Sequence, residues 1–325
     1  MTSMWRRLFF GPWGAPPDNA AEAEDVAEAP ARGTGAESMT PALPRTEIDD
    51  RFHRFLFDLG ANDASESSDS ELARLRRLEL LVERFDVCSL PRLPTILPQL
   101  LRMLKAGRSG GQIARMISRD PQMVGEIMRV ASSSFYRTAQ PIHSVQHAVV
   151  LIGEVQLRRI LAQYAMKPIL RATRSGFGAS AGEHLWNHAE CCAHAAAALG
   201  KIHGCDTFEA YLAGIVSHTG TGAIARLLEQ TGPMSLPPSP PFLASCIAFS
   251  ARITVQAAKY WELPEHVVEA VVEQQDSASP PRSKLGRTLC VADSLAMVQV
   301  LEEHGRLPVG TDLGQNWPEW FAAPV

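Results

Sequence analysis

The chain of 325 residues lacks most features that quickly place a protein in a compartment or a chemistry. Its six cysteines, Cys88, Cys191, Cys192, Cys205, Cys246 and Cys290, are scattered and form no C-x-x-C pair. That argues against a zinc ribbon or a redox dithiol and leaves buried, reduced thiols. No stretch reaches the roughly 18 continuous apolar residues of a membrane-spanning helix. Pro233 to Ala251 is uncharged, but its prolines and serines argue against a span. At the start, MTSMWRRLFFGPWG sets two arginines before an aromatic run. Gly11 and Pro12 cut that run short of the roughly 7–15 apolar residues of a secretory signal. No segment alternates with period two for long, which leaves little room for a sheet. With 20% charged and 46% apolar residues and a net charge of −4, the composition fits a soluble, cytoplasmic protein with a sizeable core.

What is present is helical periodicity behind an acidic leader. Asp18 to Pro44 is rich in Ala, Glu, Pro and Gly and has no period, so residues 1–45 read as a disordered leader. Trp5, Leu8, Phe9, Phe10 and Trp13 ahead of it form a short docking motif, a weak interfacial anchor or stray aromatics on a tail. Ile48, Phe52, Phe55, Leu56 and Leu59 then recur at helical spacing, with Gly60 suited to follow the helix end. Ser68 with Glu71 forms a capping box ahead of Leu72, Leu75, Leu78, Val82 and Phe85. Residues 46–87 are therefore two amphipathic helices, which must dock on the rest of the chain or on a partner.

Between residues 88 and 174 the pattern is short helices with tight turns. Asp120-Pro121 opens one of them, since the carboxylate caps free N–H groups and proline fits the first turn. Ser144 caps SVQHAVVLIG and Gly153 closes it, while Pro168 disturbs the end of the helix that follows. Charge is uneven. From Ser89 to Arg174 there are thirteen Arg or Lys against three acids, a net of +10, whereas Asp18 to Asp86 carries eight bases and seventeen acids, a net of −9. The basic stretch is either a solvated face, screened by the acidic segment, or a surface for an anionic partner. No nucleic-acid motif and no aromatic stacking series accompanies it.

LPRLPTILPQLLRMLK, ISRDPQMVGEIMRVASSSFY and PIHSVQHAVVLIGEVQLRRIL, in this order, resemble the HDOD domain of bacterial signalling proteins. The positions that carry the resemblance include Leu93-Pro94, Asp120, Pro121, Ala131 to Tyr136 with Ser134, Ser144, Ala148 and Gly153; Ser132 departs where the family usually has Asn. The resemblance implies an all-α, compact multi-helix HDOD or HD-like fold, here expected over 88–305 with a tail at 306–325. It also implies relation to HD-type phosphohydrolases, which bind metal through an early His, an adjacent His-Asp pair and a later Asp. On that pattern Trp186 and His188 match the early W-x-H, and VADSLA supplies the later acid at Asp293.

The central pair is altered. Tyr211 to Ile224, YLAGIVSHTGTGAI, aligns with the family's GLLHDIG so that Gly214 and Gly220 match, while the His becomes Ser217 and the Asp becomes His218. Gln274 and Gln275 stand where the family closes its W-x-LP helix with histidines, and Ser250 stands where another His is common. A hydroxyl is a poor ligand for a divalent cation, and the bridging carboxylate is gone. His188, Ser217, His218, Gly220 and Asp293 thus read as a degenerate, hydrogen-bonded pocket with no resident metal, no cofactor and no catalytic residue. On the long helix EHLWNHAECCAHAAAALGKIH, His184, His188 and Cys192 share a face and could bind metal, though packing is the plainer use.

The functional expectation is a non-catalytic bacterial signal-transduction module, a pseudo-phosphohydrolase that binds a protein partner or a small anionic ligand. The alternatives are residual metal-dependent hydrolysis of a nucleotide or cyclic dinucleotide, and nucleic-acid binding through 89–174.

Overall fold

A computed structural model describes residues 43–56, 68–85, 103, 106–133, 136, 142–171, 180–231, 239–276, 279–309 and 311. Among these residues there are twelve helices and no strand. Residues 1–42 of the leader, Gly60, the LPRLPTILPQLL segment, Ser134 and the aromatic tail residues Trp317, Trp320 and Phe321 lie outside the described residues, while Arg45 at the leader's end already belongs to the first helix.

Local chemistry sets where the helices start. In α1 (Arg45–Leu56), Ile48, Phe52 and Leu56 recur at four-residue spacing and are buried. α2 (Asp69–Glu83) opens on the capping box, with Ser68 Oγ accepting from the Glu71 amide and the Glu71 carboxylate accepting from the Ser68 amide. α3 (Gly110–Ile117) precedes α4 (Pro121–Ala131), whose first two free amides, of Gln122 and Met123, donate to Asp120. The other Asp120 carboxylate oxygen accepts from Tyr164 Oη at 2.9 Å and ties this cap to α6 (Glu154–Leu170). Ser144 caps α5 (Val145–Ile152), and Gly153, at φ +75°, turns the chain directly into α6. Pro168 sits inside α6, which continues through it to Leu170 instead of ending there. The proline lies one turn from the helix end, where a missing N–H and a displaced carbonyl disturb little that follows.

The second half is longer-helixed: α7 (Ala181–Ile202), α8 (Thr207–Val216), α9 (Thr219–Gln230), α10 (Pro240–Tyr260), α11 (Glu265–Gln275) and α12 (Lys284–Glu303). Asp206 caps α8 through the amides of Phe208 and Glu209. Ser239 precedes α10, and Pro240 and Pro241 occupy its first positions, where the absent N–H has no helical partner to lose. α10 is long and apolar enough to cross a membrane by length and composition. It buries Phe242, Leu243, Cys246, Ile253, Thr254 and Ala257 against protein, as a core helix does.

Two hydrophobic clusters result. The smaller joins α3, α4, α5 and the first half of α6 through residues such as Ile117, Met123, Ile127, Val149 and Leu161. The larger joins α1, α2 and α7 to α12. Helix α6 belongs to both, contributing Leu157, Ile160, Leu161 and Ala165 to the first and Ala162, Met166, Ile169 and Leu170 to the second. The two amphipathic helices dock on the main body: α1 packs on α12 and α7, and α2 on α10 and α9. Full burial of Ile48, Phe52 and Leu56 is worth about 1.5–3 kcal/mol each, enough to hold a three-turn helix that could not form alone.

Candidate functional site

Three side chains from three helices or helix ends meet in the larger cluster. His188 comes from the middle of α7, His218 from the two-residue junction between α8 and α9, and Asp293 from the middle of α12. The tight approach of backbones sets this geometry. A Cβ on Gly214 would lie 2.6 Å from the Ala193 Cα, and one on Gly220 would lie 1.9 Å from the Ser250 carbonyl oxygen. Only glycine lets α8 close on α7 and α9 close on α10 at these points.

Asp293 Oδ1 lies 3.3 Å from Nε2 of both His188 and His218. The two imidazole rings stand edge to face with centroids 4.3 Å apart. All three residues are nearly inaccessible, at 0%, 7% and 1% exposure for His188, His218 and Asp293. Asp293 Oδ2 accepts from Gln274 Nε2 at 2.8 Å. Gln275 Nε2 donates to the Ser217 carbonyl at 3.1 Å and to Gln274 Oε1. The two glutamines where the family has histidines therefore form a relay from the α8–α9 junction to the buried carboxylate.

Electrostatics follow from burial. Burial, with the neighbouring His188, pushes the His218 imidazole down to about 3, so it is neutral at ordinary pH. Burial alone would raise the Asp293 carboxyl, but the His188 and His218 imidazoles and the Arg45 guanidinium hold it below the usual carboxylate range. Arg45 Nη2 is 3.9 Å from Asp293 Oδ2, and it comes from α1. The same helix lays Phe52 on His188, with ring centroids 4.3 Å apart. Asp49, one turn on from Arg45, is pushed up to about 6 by burial, with Asp293 adding to the rise.

The expected pocket residues do not all meet. Ser217 is buried, but its hydroxyl donates to the Gly214 carbonyl at 2.9 Å, back along α8. Gly220 donates its N–H to Thr254 Oγ1 at 2.9 Å and is a packing contact between α9 and α10. Ser250 pairs with Thr221 at 2.9 Å, outside the His-His-Asp group. His184 faces Phe55 and His304, with ring centroids 4.7 and 4.5 Å away, so it does not join His188. Asp120, Pro121, Ser144 and Gly153 all serve helix starts and turns in the first half. Arg45, Asp49 and Phe52 were not legible as site residues: their sequence signal is only that of an amphipathic helix.

A divalent cation, which HD-type relatives imply, can be tested against this donor set. One ligand atom from each of His188, His218 and Asp293 lies within 4.8 Å of the others, and the Asp293 Oδ1 and His218 Nε2 atoms are buried without a hydrogen bond. Two imidazoles and a carboxylate fit one cation. Nothing at Ser217 could bridge to a second.

The sequence profile of the HDOD domain matches residues 90–277, more than half of the chain. The chain belongs to the HDOD domain family. No curated protein matches it. Among solved structures, an HDOD domain protein with unknown function from Geobacter sulfurreducens is similar at TM-score 0.55 and 20% identity, over 77% of this chain and 87% of that one. A candidate metal-dependent phosphohydrolase from Shewanella amazonensis SB2B gives TM-score 0.54 and 20% identity, over 79% and 91%. A candidate signal transduction protein from Marinobacter aquaeolei VT8 gives 0.53 and 21%, over 81% of this chain and 61% of that one. At these identities the likeness carries the HDOD fold.

Proposed function

We propose that this HDOD protein is a non-catalytic signal-transduction module that binds a protein partner or a small anionic ligand and relays that state through helix packing. One observation carries the reading. At the position where a phosphohydrolase holds the His of its His-Asp pair, Ser217 turns its hydroxyl to the Gly214 carbonyl, and no carboxylate stands beside it. Asp293 is meanwhile engaged by Gln274 and covered by α1, which brings Arg45 and Phe52. A buried acid with a hydrogen-bond donor and a cation beside it fits a structural role.

A second reading has its own support, because His188, His218 and Asp293 could hold one divalent cation. Such a cation would supply Lewis-acid activation of water against a phosphoester, and the substrate would be a nucleotide or cyclic dinucleotide. Nucleic-acid binding through the basic stretch is less well supported, since Arg129, Arg158 and Arg171 are each paired, with Glu126, Glu154 and Glu183.

Metal content decides between the first two. The purified full chain, dialysed without chelator, is expected to carry no bound transition metal by mass spectrometry. It is also expected not to hydrolyse bis-p-nitrophenyl phosphate with added Mn²⁺. One tightly held metal per chain together with hydrolysis lost in Asp293→Ala would overturn the non-catalytic reading.

A further inference from the structure

Several basic residues around the first half are engaged where they stand. Arg129 pairs with Glu126 on α4, Arg158 with Glu154 on α6, and Arg171 with Glu183 across to α7. Lys167 lies over the Trp186 ring, and Arg226 donates to the carbonyls of Pro168 and Ile169. Arg159 differs. It is half-buried on α6, and among the described residues no Asp or Glu forms an ion pair with it. Among the described residues its buried Nε has no hydrogen-bond partner, and its one hydrogen bond is a long 3.4 Å contact from Nη1 to Gln156 Oε1. The guanidinium carbon sits 5.4 Å from the centroid of the fully buried Tyr211 ring. Arginine has five N–H donors, and among the described residues one of them, on Nη1, meets a protein acceptor while the buried Nε–H meets none. A partly buried charge in that state is costly unless something completes its shell.

The surroundings suit a particular kind of completion. Arg159 lines a small cleft of about 30 Å³ with Ser133, Tyr136, Gln156, Gln163 and His194. The Ser133 hydroxyl, the Gln156 amide and the His194 imidazole can donate to an anion, whereas the Gln163 amide already donates to Glu190 at 2.9 Å; no carboxylate among the described residues lines the cleft itself. The volume restricts the cleft to a small group and excludes a base or a peptide side chain with its backbone. Gln163 is shared with a wider, open groove of about 600 Å³ whose border carries both signs of charge, Arg129, Lys167 and Arg171 with Glu126 and Glu190, beside Trp186. The body of a larger molecule could lie there with its head at Arg159.

We propose that Arg159 is the receptor for a phosphoryl-type oxyanion, held in the cleft between the end of α4, α6 and α7. A planar guanidinium takes such a group bidentately. The placement gives binding a consequence. Ser133 follows α4, which belongs to the smaller hydrophobic cluster, whereas His194 lies on α7, in the larger one. An anion bridging them would tighten the seam between the two clusters. The proposal rests on the regulatory reading above for its meaning only. Failure at Arg159 would leave the metal and hydrolysis tests of the Asp293 pocket untouched.

The test is thermal unfolding of the full chain in inorganic phosphate against sodium chloride at matched ionic strength. It is repeated with adenosine 5′-monophosphate, and with adenosine as the uncharged control. Phosphate at saturating concentration is expected to raise the midpoint by on the order of 2–4 °C. Arg159→Gln should abolish that rise, and Arg159→Lys should retain a reduced one. In chloride alone Arg159→Gln should unfold no earlier than the parent, because it removes an uncompensated charge. Equal effects of phosphate and the monophosphate would mark a free oxyanion as the ligand. A stronger effect of the monophosphate, also lost in Arg159→Gln, would mark a phosphoryl group carried on a larger molecule. No shift with either probe, or a shift that persists in Arg159→Gln, would overturn the proposal.

Discussion

Arg45 on the first helix holds its guanidinium 3.9 Å from the carboxylate of Asp293 on the last. The two ends of the described chain thus meet over the buried His-His-Asp group. The halves of this pair are unequal, since the Arg45 side chain is 42% exposed and that of Asp293 1% exposed. Removing the buried half should cost far more than removing the exposed one. Asp293→Ala is expected to lose about 3–5 kcal/mol, because His188, His218 and Gln274 are left facing a void. Arg45→Ala should lose about 0.2–1 kcal/mol, as exposed pairs do. Urea denaturation of the two single variants and the double variant measures both values and their coupling.

Phe52 links that lid to the site. It is 2% exposed and packs on His188 and into the larger cluster. Truncation to Ala should cost about 3–5 kcal/mol if α1 stays docked. A smaller loss would show that α1 detaches instead. In that case trypsin should cut at Arg51 and Arg54 in Phe52→Ala well before it cuts the parent, because undocking turns a short helix into exposed coil. Limited proteolysis followed by mass spectrometry separates these outcomes.

How much of this was readable in the sequence depends on how far apart the partners lie. The caps at Ser68, Asp120 and Ser144 each involve residues within three positions, and each forms as its local pattern predicts. The all-helical architecture follows from the same local periodicity. Pro240 and Pro241 open α10 because proline stops a helix from inside but fits its first turn. The meeting of His188, His218 and Asp293 was suggested by the family resemblance and by nothing local. The reach of Arg45 to Asp293, and the engagement of Ser217 with its own helix, depend on packing between distant helices. No spacing rule carries that information. Arg159 was only one of thirteen bases until its neighbours proved to hold no acid.

Two glycines should respond oppositely to the same change. Gly220 has the Ser250 carbonyl oxygen 1.9 Å from where a Cβ would stand, so Gly220→Ala must push α9 away from α10. The expected loss is about 1–3 kcal/mol or more. Gly125 lies inside α4 with nothing within 4 Å of a Cβ. Gly125→Ala should therefore stabilise the chain by about 0.4–1 kcal/mol through the reduced entropy of the unfolded state. Paired melting curves of the two variants check the signs.

Acid sensitivity should have an identifiable source in the cleft at Arg159. Burial, with the Arg159 charge beside it, pushes the His194 imidazole down from 6.5 to about 4. Below pH 6.5 the unfolded chain takes up a proton at this residue, while the folded chain refuses it until near pH 4. Its contribution to stability is therefore fully present above 6.5 and is lost progressively as pH falls towards 4. The slope from one such group is at most about 1.4 kcal/mol per pH unit. His218, neutral through burial, adds to the slope in the same direction. His194→Gln should thus flatten the fall in unfolding free energy between pH 6.5 and 4 without removing it. Arg159→Gln should flatten it as well, by removing the positive charge that helps keep His194 neutral. Urea titrations at half-unit pH steps measure the three slopes. An unchanged slope in His194→Gln would mean that this imidazole titrates alike in the folded and unfolded chains.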